Sequence, residues 1–291
     1  MTSTRAPSVP GAASPQPPAP GGPVAPRSVL TWTGALVVLV TVTSVAGLLD
    51  PRVYQEETAN WALQAQGQDV GNLLAVVVLA LAARRWAAGS APAGLVWLGT
   101  LLYLVYAFVI YAMAVHLNYL FLVYVAVLGL SAWGVLVHVP VLRRSVVLHP
   151  GEGARTWPAV ALVAIGVLFA GLWLAELVPA TVSGQVPATL TGAGLVVNPV
   201  HVIDLSVVLP AFVLSGVSVL RGREAGLFWV GTWLAFSVLM GSSIVAAMVL
   251  TTAAGQSGAV VPAVMVSVVV VVSLVAAWAH LRGAALREPG G

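Results

Sequence analysis

The residues most suited to chemistry in this sequence are a histidine and an aspartate in the stretch NPVHVIDLSVVLP, residues 198–210. His201 and Asp204 stand three positions apart, so a helix places them on one face. Asn198 is a suitable N-cap and Pro199 suits the first helical position. Asp204 then lies roughly 6–8 Å below the start of that helix, since each residue rises by about 1.5 Å. Ionisable groups at such a depth in a membrane are rare, which favours ligand binding or proton handling.

Further polar residues are predicted at the same end of the protein. Glu176 lies near the end of an apolar segment, just before loop 179–199, which contains no charged residue. His116 and Asn118 occupy a very short turn between two other apolar segments, and Tyr124 follows in the second of these. We therefore predict a ligand-binding or proton-handling site that comprises His201, Asp204, Glu176, Asn198, His116, Asn118 and Tyr124.

A structural role and a catalytic role compete with this interpretation. His201 and Asp204 can satisfy each other, or fasten their helix to the loop before it, without binding a ligand. Together with His116 and Glu176 they have acceptable ligand chemistry for zinc, but no diagnostic spacing beyond His-x-x-Asp supports such a site. The sequence also lacks the His-Glu-x-x-His, Gly-x-Ser-x-Gly and Gly-x-Gly-Asp motifs of hydrolases. We predict neither a metal nor a cofactor.

The elements that must position these residues are long apolar segments. Apolar residues make up 59% of the chain and charged residues only 7%, whereas a soluble domain has about 25% charged residues. Segments of about 20 apolar residues cross a bilayer as helices. We predict an all-α, polytopic transmembrane helix bundle with eight spans, at residues 29–49, 69–88, 92–114, 118–139, 157–178, 200–220, 226–250 and 258–280.

The arginines predict the orientation of this bundle. With the N-terminus inside, eleven of the twelve arginines fall on the cytoplasmic side and only Arg52 falls outside, which agrees with the positive-inside rule. The outer loop 50–69 carries four acidic residues, Asp50, Glu56, Glu57 and Asp69. We predict a multi-pass protein of the cell (plasma) membrane with both termini cytoplasmic. The tripeptide Ser44-Val45-Ala46 leaves one alternative, in which a signal peptidase removes the first span.

Composition divides the chain into three regions. Residues 1–27 contain eight prolines and few large apolar residues, which predicts a disordered cytoplasmic tail. Residues 28–283 form the predicted transmembrane domain, and residues 284–291 a short cytoplasmic tail. The chain contains no cysteine and no lysine, so disulfides, thiolate chemistry and lysine Schiff bases are excluded. No basic cluster exceeds two adjacent arginines, which argues against nucleic-acid binding.

Two stretches resemble a family of bacterial and archaeal multi-pass integral membrane proteins. They are YAFVIYAMAVHLNYLFLVYVAVLGLSAW, residues 106–133, and the region from AELVPATVSG to VNPVHVIDLSVVLPAFVLSGVSVLRGREAG, residues 175–226. Members typically follow an Asn-Pro-Val-His-x-x-Asp segment with an apolar helix and an arginine-rich turn. The corresponding residues here are Asn198, Pro199, Val200, His201 and Asp204, followed by Arg221 and Arg223. The family has no assigned activity, so the resemblance implies an architecture and no mechanism.

These observations favour a non-catalytic membrane component with a polar site in the outer leaflet. We expect the protein to interact with the lipid bilayer and with a small polar or cationic ligand that reaches the site from the outer side. A transporter or receptor for such a ligand is the alternative function. A membrane-embedded, metal-dependent hydrolase is a third, for which the sequence offers least support.

Overall fold

Eight long helical segments build the protein. The computed structural model describes residues 26–256 and 258–287. Within them, eight segments are long and apolar enough to cross a membrane, which confirms the predicted eight-span helical bundle. Seven of these spans are single helices: α1 (Pro26–Leu49), α2 (Ala59–Ala87), α3 (Ala91–Ala114), α4 (Phe121–Ser145), α5 (Glu152–Ser183), α9 (Ala225–Ala253) and α10 (Val260–Leu281). The tail predicted at the N-terminus lies, up to residue 25, outside the described residues.

The remaining span, Pro199–Leu220, is made of three consecutive pieces. It comprises α7 (Pro199–Ile203), a π-helical turn (Asp204–Val208) and α8 (Leu209–Leu220). The wider turn has an identifiable cause, because Pro210 has no N–H with which to continue the regular pattern. The N–H of Leu209 instead bonds to the carbonyl of Asp204, five residues earlier. This widening places Asp204 at the start of a local irregularity inside the membrane span.

Short elements connect the spans. A 3₁₀ turn, Pro51–Val53, follows α1, and α6 (Ala188–Ala193) lies between α5 and α7. Strands β1 (Val146–Leu148) and β2 (Ala284–Leu286) pair antiparallel, with Val146 opposite Leu286. The segment predicted as a short C-terminal tail therefore begins with a paired strand.

The boundary predicted for the second span is wrong. Helix α2 begins at Ala59 and not at residue 69, because the Thr58 hydroxyl caps it by accepting a hydrogen bond from the Trp61 N–H. Polar residues in its first turns lower the mean hydropathy there, so hydropathy alone does not predict that this segment is helical. Asp69 consequently lies inside α2, and the prediction that places it in the outer loop is wrong.

Helix α5 also extends further than expected. It passes through Pro179 and ends at Ser183, followed by Gly184 with φ of 69°. Glycine adopts this left-handed conformation without the steric cost of a Cβ atom, so it is a favourable helix end. Glu176 thus lies within the helix, two turns before its end.

Helix α3 is the centre of the bundle and α5 lies at its periphery. In the most apolar window of each helix, 78% of α3 is buried inside the protein, against 17% of α5. Helix α3 packs against α2, α4 and α9, whereas the main partner of α5 is α8. Small residues allow helices α2 and α9 to approach closely, since a Cβ atom on Gly67 would lie 2.2 Å from the Ala247 Cα.

Candidate functional site

A large cavity lies between the pair α5 and α8 and the helices α3, α9 and α10. Its volume is about 810 Å³, which is within the range of small-molecule sites, roughly 300–1,000 Å³. Most of its wall is apolar and includes Ile165, Phe169, Phe212, Phe236, Met240 and Val266. Four of the sequence-predicted residues also line it, namely His201, Asp204, Glu176 and Asn198. The cavity therefore combines a long apolar surface with a localised polar group of side chains.

Asp204 is the most buried carboxylate of this cavity. It is 9% exposed, and its Oδ2 accepts a 2.8 Å hydrogen bond from the indole N–H of Trp173 on α5. The Tyr106 hydroxyl of α3 interacts with the same carboxylate. The π-helical turn that begins at Asp204 is a type of irregularity found frequently at functional sites.

His201 is held by aromatic contact and by its N-cap residue. Its ring lies against that of Trp173, with 4.6 Å between the ring centroids and 41° between the ring planes, and its Nε2 lies 3.5 Å from the Asn198 amide nitrogen. The Asn198 Oδ1 accepts a 2.9 Å hydrogen bond from the Val200 N–H, so the predicted N-cap is confirmed. Among the described contacts, neither a hydrogen bond nor an ion pair joins His201 to Asp204. Each side chain has other partners, so the two do not simply satisfy each other.

Glu176 connects the cavity to the short helix α6. The hydroxyl of Thr189 donates a short hydrogen bond to its Oε1, and residues of α6 line the cavity. Helix α6 therefore covers the polar end of the cavity. At the same end, the amides of Asn60 and Gln256 bond to each other at 3.2 Å and join α2 to the segment after α9.

The other three predicted site residues lie elsewhere. Both the backbone N–H and the Nδ1 of His116 contact Glu57, at 2.7 and 3.1 Å. The Asn118 amide donates to the Val53 carbonyl at 3.1 Å, and the ring of Tyr124 packs 5.1 Å from that of Tyr111. None of these three residues lines the cavity. The structure thus divides the predicted set into a cavity group of four and a separate group of three.

The structure also contains a buried polar cluster that sequence reasoning missed. Asp69 is 1% exposed; its Oδ2 accepts a hydrogen bond from the Tyr54 hydroxyl and its Oδ1 one from the Tyr111 hydroxyl, both at 2.7 Å. Asn72 lies one turn further along α2 and accepts a 3.1 Å hydrogen bond from the Tyr103 hydroxyl. A carboxylate so completely enclosed within a membrane span is a candidate functional group in its own right.

One sequence signal could have revealed this cluster. Asn60, Gln64, Gln68 and Asn72 recur at every fourth position in NWALQAQGQDVGN, which places four amides on one helix face. Asn60 and Gln64 line the cavity, while the Gln68 amide donates to the Tyr103 hydroxyl at 2.6 Å. We call these four residues the amide stripe. It connects the polar end of the cavity with the surroundings of Asp69.

An exposed ion pair lies beside the group of three. Arg52 donates to the Asp50 carboxylate through its Nη2 at 2.7 Å, and the Tyr119 hydroxyl donates to the same oxygen at 2.7 Å. Hydrogen bonds from Arg52 and then from Tyr119 hold the pKa of Asp50 below its usual value. Hydrogen bonding to Asp50 in turn raises the pKa of Tyr119.

The zinc site considered from the sequence is not assembled. Within residues 26–256 and 258–287, no three histidine, aspartate or glutamate side chains are grouped in a way that could hold a metal ion. His116 pairs with Glu57 and does not line the cavity that contains Asp204 and His201.

Comparison with known proteins adds no identification. The chain matches no protein-family model, no curated protein and no solved structure. The likeness of residues 106–133 and 175–226 to a family of multi-pass membrane proteins remains a prediction from the sequence. Function has to be inferred from the cavity and its polar residues.

Proposed function

We propose that this protein is a non-catalytic membrane receptor or carrier for an amphipathic molecule with a cationic head. The apolar part of the ligand lies along the cavity wall, and the head lies beside Asp204 and Glu176. The observation that carries this proposal is the Asp204 carboxylate in a cavity of about 810 Å³ with predominantly apolar walls. A buried carboxylate is costly unless it is paired or neutralised.

The character of the polar end favours a cation over an anion. Two carboxylates line it, whereas none of the arginines in the described part of the chain does. The aromatic rings of Trp173, Tyr106 and Phe212 line the same cavity, and the faces of such rings attract ammonium groups. A cationic head therefore gains both charge pairing and aromatic contact.

Binding is supported better than catalysis. Asp204 bonds to Trp173, and the His201 ring lies against the same indole, so the pair lacks the base-to-nucleophile hydrogen bond that acyl-transfer sites use. Glu176 bonds to a threonine hydroxyl. These partners hold the carboxylates in place and leave the cavity wall to bind a ligand.

We further propose that the polar end of the cavity faces the outside of the plasma membrane and that both termini are cytoplasmic. The arginines support this orientation. Arg84 and Arg85 lie in the last turn of α2, and Arg143 and Arg144 in that of α4. These helix ends are opposite the end at which the polar residues of the cavity are found, as the positive-inside rule requires.

The test uses dodecyltrimethylammonium added to purified protein in nanodiscs of neutral phospholipid. We expect saturable thermal stabilisation together with a change in tryptophan fluorescence, because Trp173 lies against Asp204. A ligand at 100 times its Kd stabilises the folded state by about 2.7 kcal/mol. Tetramethylammonium tests the contribution of the head alone, and dodecyl maltoside tests the apolar chain with a neutral head.

A matched pair of variants separates the site from general effects. Asp204→Asn removes the charge within the cavity, and Asp50→Asn removes an exposed charge outside it. We expect the first to lower affinity for dodecyltrimethylammonium at least tenfold and the second to leave it unchanged. Equal stabilisation by the maltoside, or unchanged affinity in a folded Asp204→Asn variant, contradicts the cationic head.

A further inference from the structure

Asp69 lies apart from the proposed ligand and, among the residues that the structure describes, has no partner of opposite charge. Helix α1 contributes Ser44 and Gly47 to its surroundings, the segment after the 3₁₀ turn contributes Tyr54, and α3 contributes Tyr111. None of these side chains is basic. The close packing is shown by Gly47, where a Cβ atom would lie 2.1 Å from the Asp69 Oδ2.

The other elements around the cluster provide hydroxyls and amides. They are Tyr103 on α3, Tyr124 on α4, Ser243 on α9, and Gln68 and Asn72 on α2. The charged groups Glu57 and His116 pair with each other, and Glu57 is near Tyr124. Within the described residues, ion pairs involve Asp50 or Glu57 and do not involve Asp69.

The hydrogen bonds around Asp69 can accommodate two protonation states. In the ionised state, the Tyr54 and Tyr111 hydroxyls donate to its two oxygens. The Tyr111 oxygen also lies 3.2 Å from the Ala65 carbonyl oxygen. A proton on Oδ1 can therefore be donated to the Tyr111 oxygen while the Tyr111 hydroxyl turns toward Ala65. Both arrangements leave the hydroxyls of Tyr54 and Tyr111, and the proton on Asp69 where it is present, with an acceptor.

A second observation supports the ionised state of this site. The Ser44 Oγ is buried and makes no hydrogen bond of regular geometry, but its hydroxyl is close enough to Asp69 to interact with the carboxylate. Buried hydroxyls without partners are uncommon. Ser44 therefore holds a spare donor beside the carboxylate, available when negative charge develops there.

We propose that Asp69 is a proton-binding site, separate from the Asp204 cavity, that takes up and releases one proton within the membrane span. In uptake, a proton from water forms an O–H bond at Oδ1 of Asp69, and the hydroxyl of Tyr111 moves its hydrogen bond to the Ala65 carbonyl. Release reverses these two changes. No other bond forms or breaks, and the charge of the site changes by one.

The amide stripe gives this site a polar connection to the cavity. From Asn60 to Asn72 it extends about 18 Å along α2, given a rise of about 1.5 Å per residue. That is about half of a hydrocarbon core of about 30 Å. Its amides offer hydrogen-bond partners to water along the helix face, and two of them already line the cavity.

The test is infrared difference spectroscopy on the full-length protein in nanodiscs as pH is changed. A protonated carboxylic acid in an apolar environment has a C=O stretching band that a carboxylate lacks. We expect such a band to appear at low pH, to disappear at high pH and to be absent in Asp69→Asn. Spectra of Asp204→Asn and Asp50→Asn identify the bands of two other carboxyl groups, one inside the cavity and one outside it. Loss of the band in Asp69→Asn alone therefore does not depend on the ligand proposal.

Tyr111→Phe keeps Asp69 in place and provides an independent measurement. The bond that Tyr111 donates to the ionised carboxylate is charge-assisted and therefore stronger than the bond that it accepts from the protonated acid. Its removal should raise the proton affinity of the site about tenfold, which moves the band midpoint by about one pH unit. A band that Asp69→Asn does not remove, or a midpoint unchanged in Tyr111→Phe, overturns the proposal. So does a midpoint that shifts when sodium replaces choline in the buffer, because that result identifies a metal cation as the competing ligand.

Discussion

The indole N–H of Trp173 donates a 2.8 Å hydrogen bond to the Oδ2 of Asp204 and thereby joins α5 to the π-helical turn. The same indole contacts the His201 ring, with 4.6 Å between the ring centroids. One tryptophan thus positions both residues that the sequence singles out, and it does so from the helix that is least buried in the bundle. The orientation of the polar end of the cavity consequently depends on how α5 packs against α7 and α8.

Replacement of Trp173 by phenylalanine should lower the stability of the protein. Trp173→Phe keeps an aromatic ring but removes the donor, so a buried carboxylate loses a hydrogen bond. We expect a loss of about 1–3 kcal/mol in the free energy of unfolding, measured by denaturant unfolding in detergent.

A double-mutant cycle with Asp204→Asn tests whether the loss arises at this contact. Residues in contact couple by about 0.5–3 kcal/mol. A coupling of zero means that Trp173 stabilises the protein through packing alone. Asp204→Asn by itself is also informative, because a variant as stable as wild type indicates that the carboxylate is retained for function and not for stability.

Part of this site could be predicted from the sequence, because the start of its helix depends on residues that are adjacent in the chain. The spacing Asn198-Pro199-Val200-His201 specifies a capped helix start, and the structure has that cap. The partner Trp173 could not be predicted, since its contact with Asp204 depends on the packing of two helices. The same limit explains why the sequence predicts one site for His116, Asn118 and the cavity residues: a shared membrane depth does not determine which helices are neighbours.

Gly47→Ala should destabilise the protein through a steric clash with the Asp69 cluster. The added Cβ would lie 2.1 Å from the Asp69 Oδ2 and 2.7 Å from the Tyr54 hydroxyl. We expect a cost of about 1–3 kcal/mol, typical of overpacking. Gly34→Ala in the same helix is the matched control, because a Cβ there meets no atom within 4 Å. Equal melting temperatures for the two variants would show that the carboxylate can move aside.

The exposed Asp50 should titrate at unusually low pH. Hydrogen bonds from Arg52 and then from Tyr119 lower its pKa in the folded protein. A carboxyl with a lowered pKa contributes stability at pH values above its unfolded pKa, about 3.9. That contribution is lost as the pH falls through the lower, folded pKa. We expect Arg52→Gln to raise the pKa of Asp50 more than Tyr119→Phe does, as measured by carbon NMR of the carboxyl group. The reverse order contradicts this assignment of the main cause.

His280 should stabilise the junction of three helices. It is fully buried; its Nδ1 lies 3.1 Å from the Ala154 carbonyl oxygen of α5, and its Nε2 lies 2.9 Å from the Leu227 carbonyl oxygen of α9. His280→Phe removes the ring N–H that a neutral imidazole can donate to one of these two carbonyl oxygens, which should cost about 1–3 kcal/mol in thermal unfolding. The exposed His149 gives the control His149→Phe, for which we expect a change within about 0.5 kcal/mol. Similar losses in both variants would argue against a specific role of the His280 contacts.

The buried cluster shows a different limit of sequence reasoning. Asp69 and Gln68 reduce the mean hydropathy of the first half of α2, so a count of apolar residues assigns that region to a loop. Helix formation depends on backbone hydrogen bonding and on a Thr58 cap, neither of which hydropathy measures. The four-residue repeat of the amide stripe does indicate a helix in this region. It is informative only if the polar residues are assumed to face the interior of the bundle. In a membrane, that inward orientation is the one that lowers their cost.

Labelling of introduced cysteines should establish which end of the bundle is outside. The chain contains no cysteine, so each variant has a single reactive thiol. Gly153→Cys lies near the start of α5 and Gln185→Cys lies between α5 and α6; both positions are exposed. The arginine distribution predicts that the second faces outward. A membrane-impermeant maleimide should therefore label Gln185→Cys in intact cells, and Gly153→Cys only after permeabilisation. The opposite pattern would invert the topology and place the polar end of the cavity in the cytoplasmic leaflet, where its ligand would have to come from inside the cell.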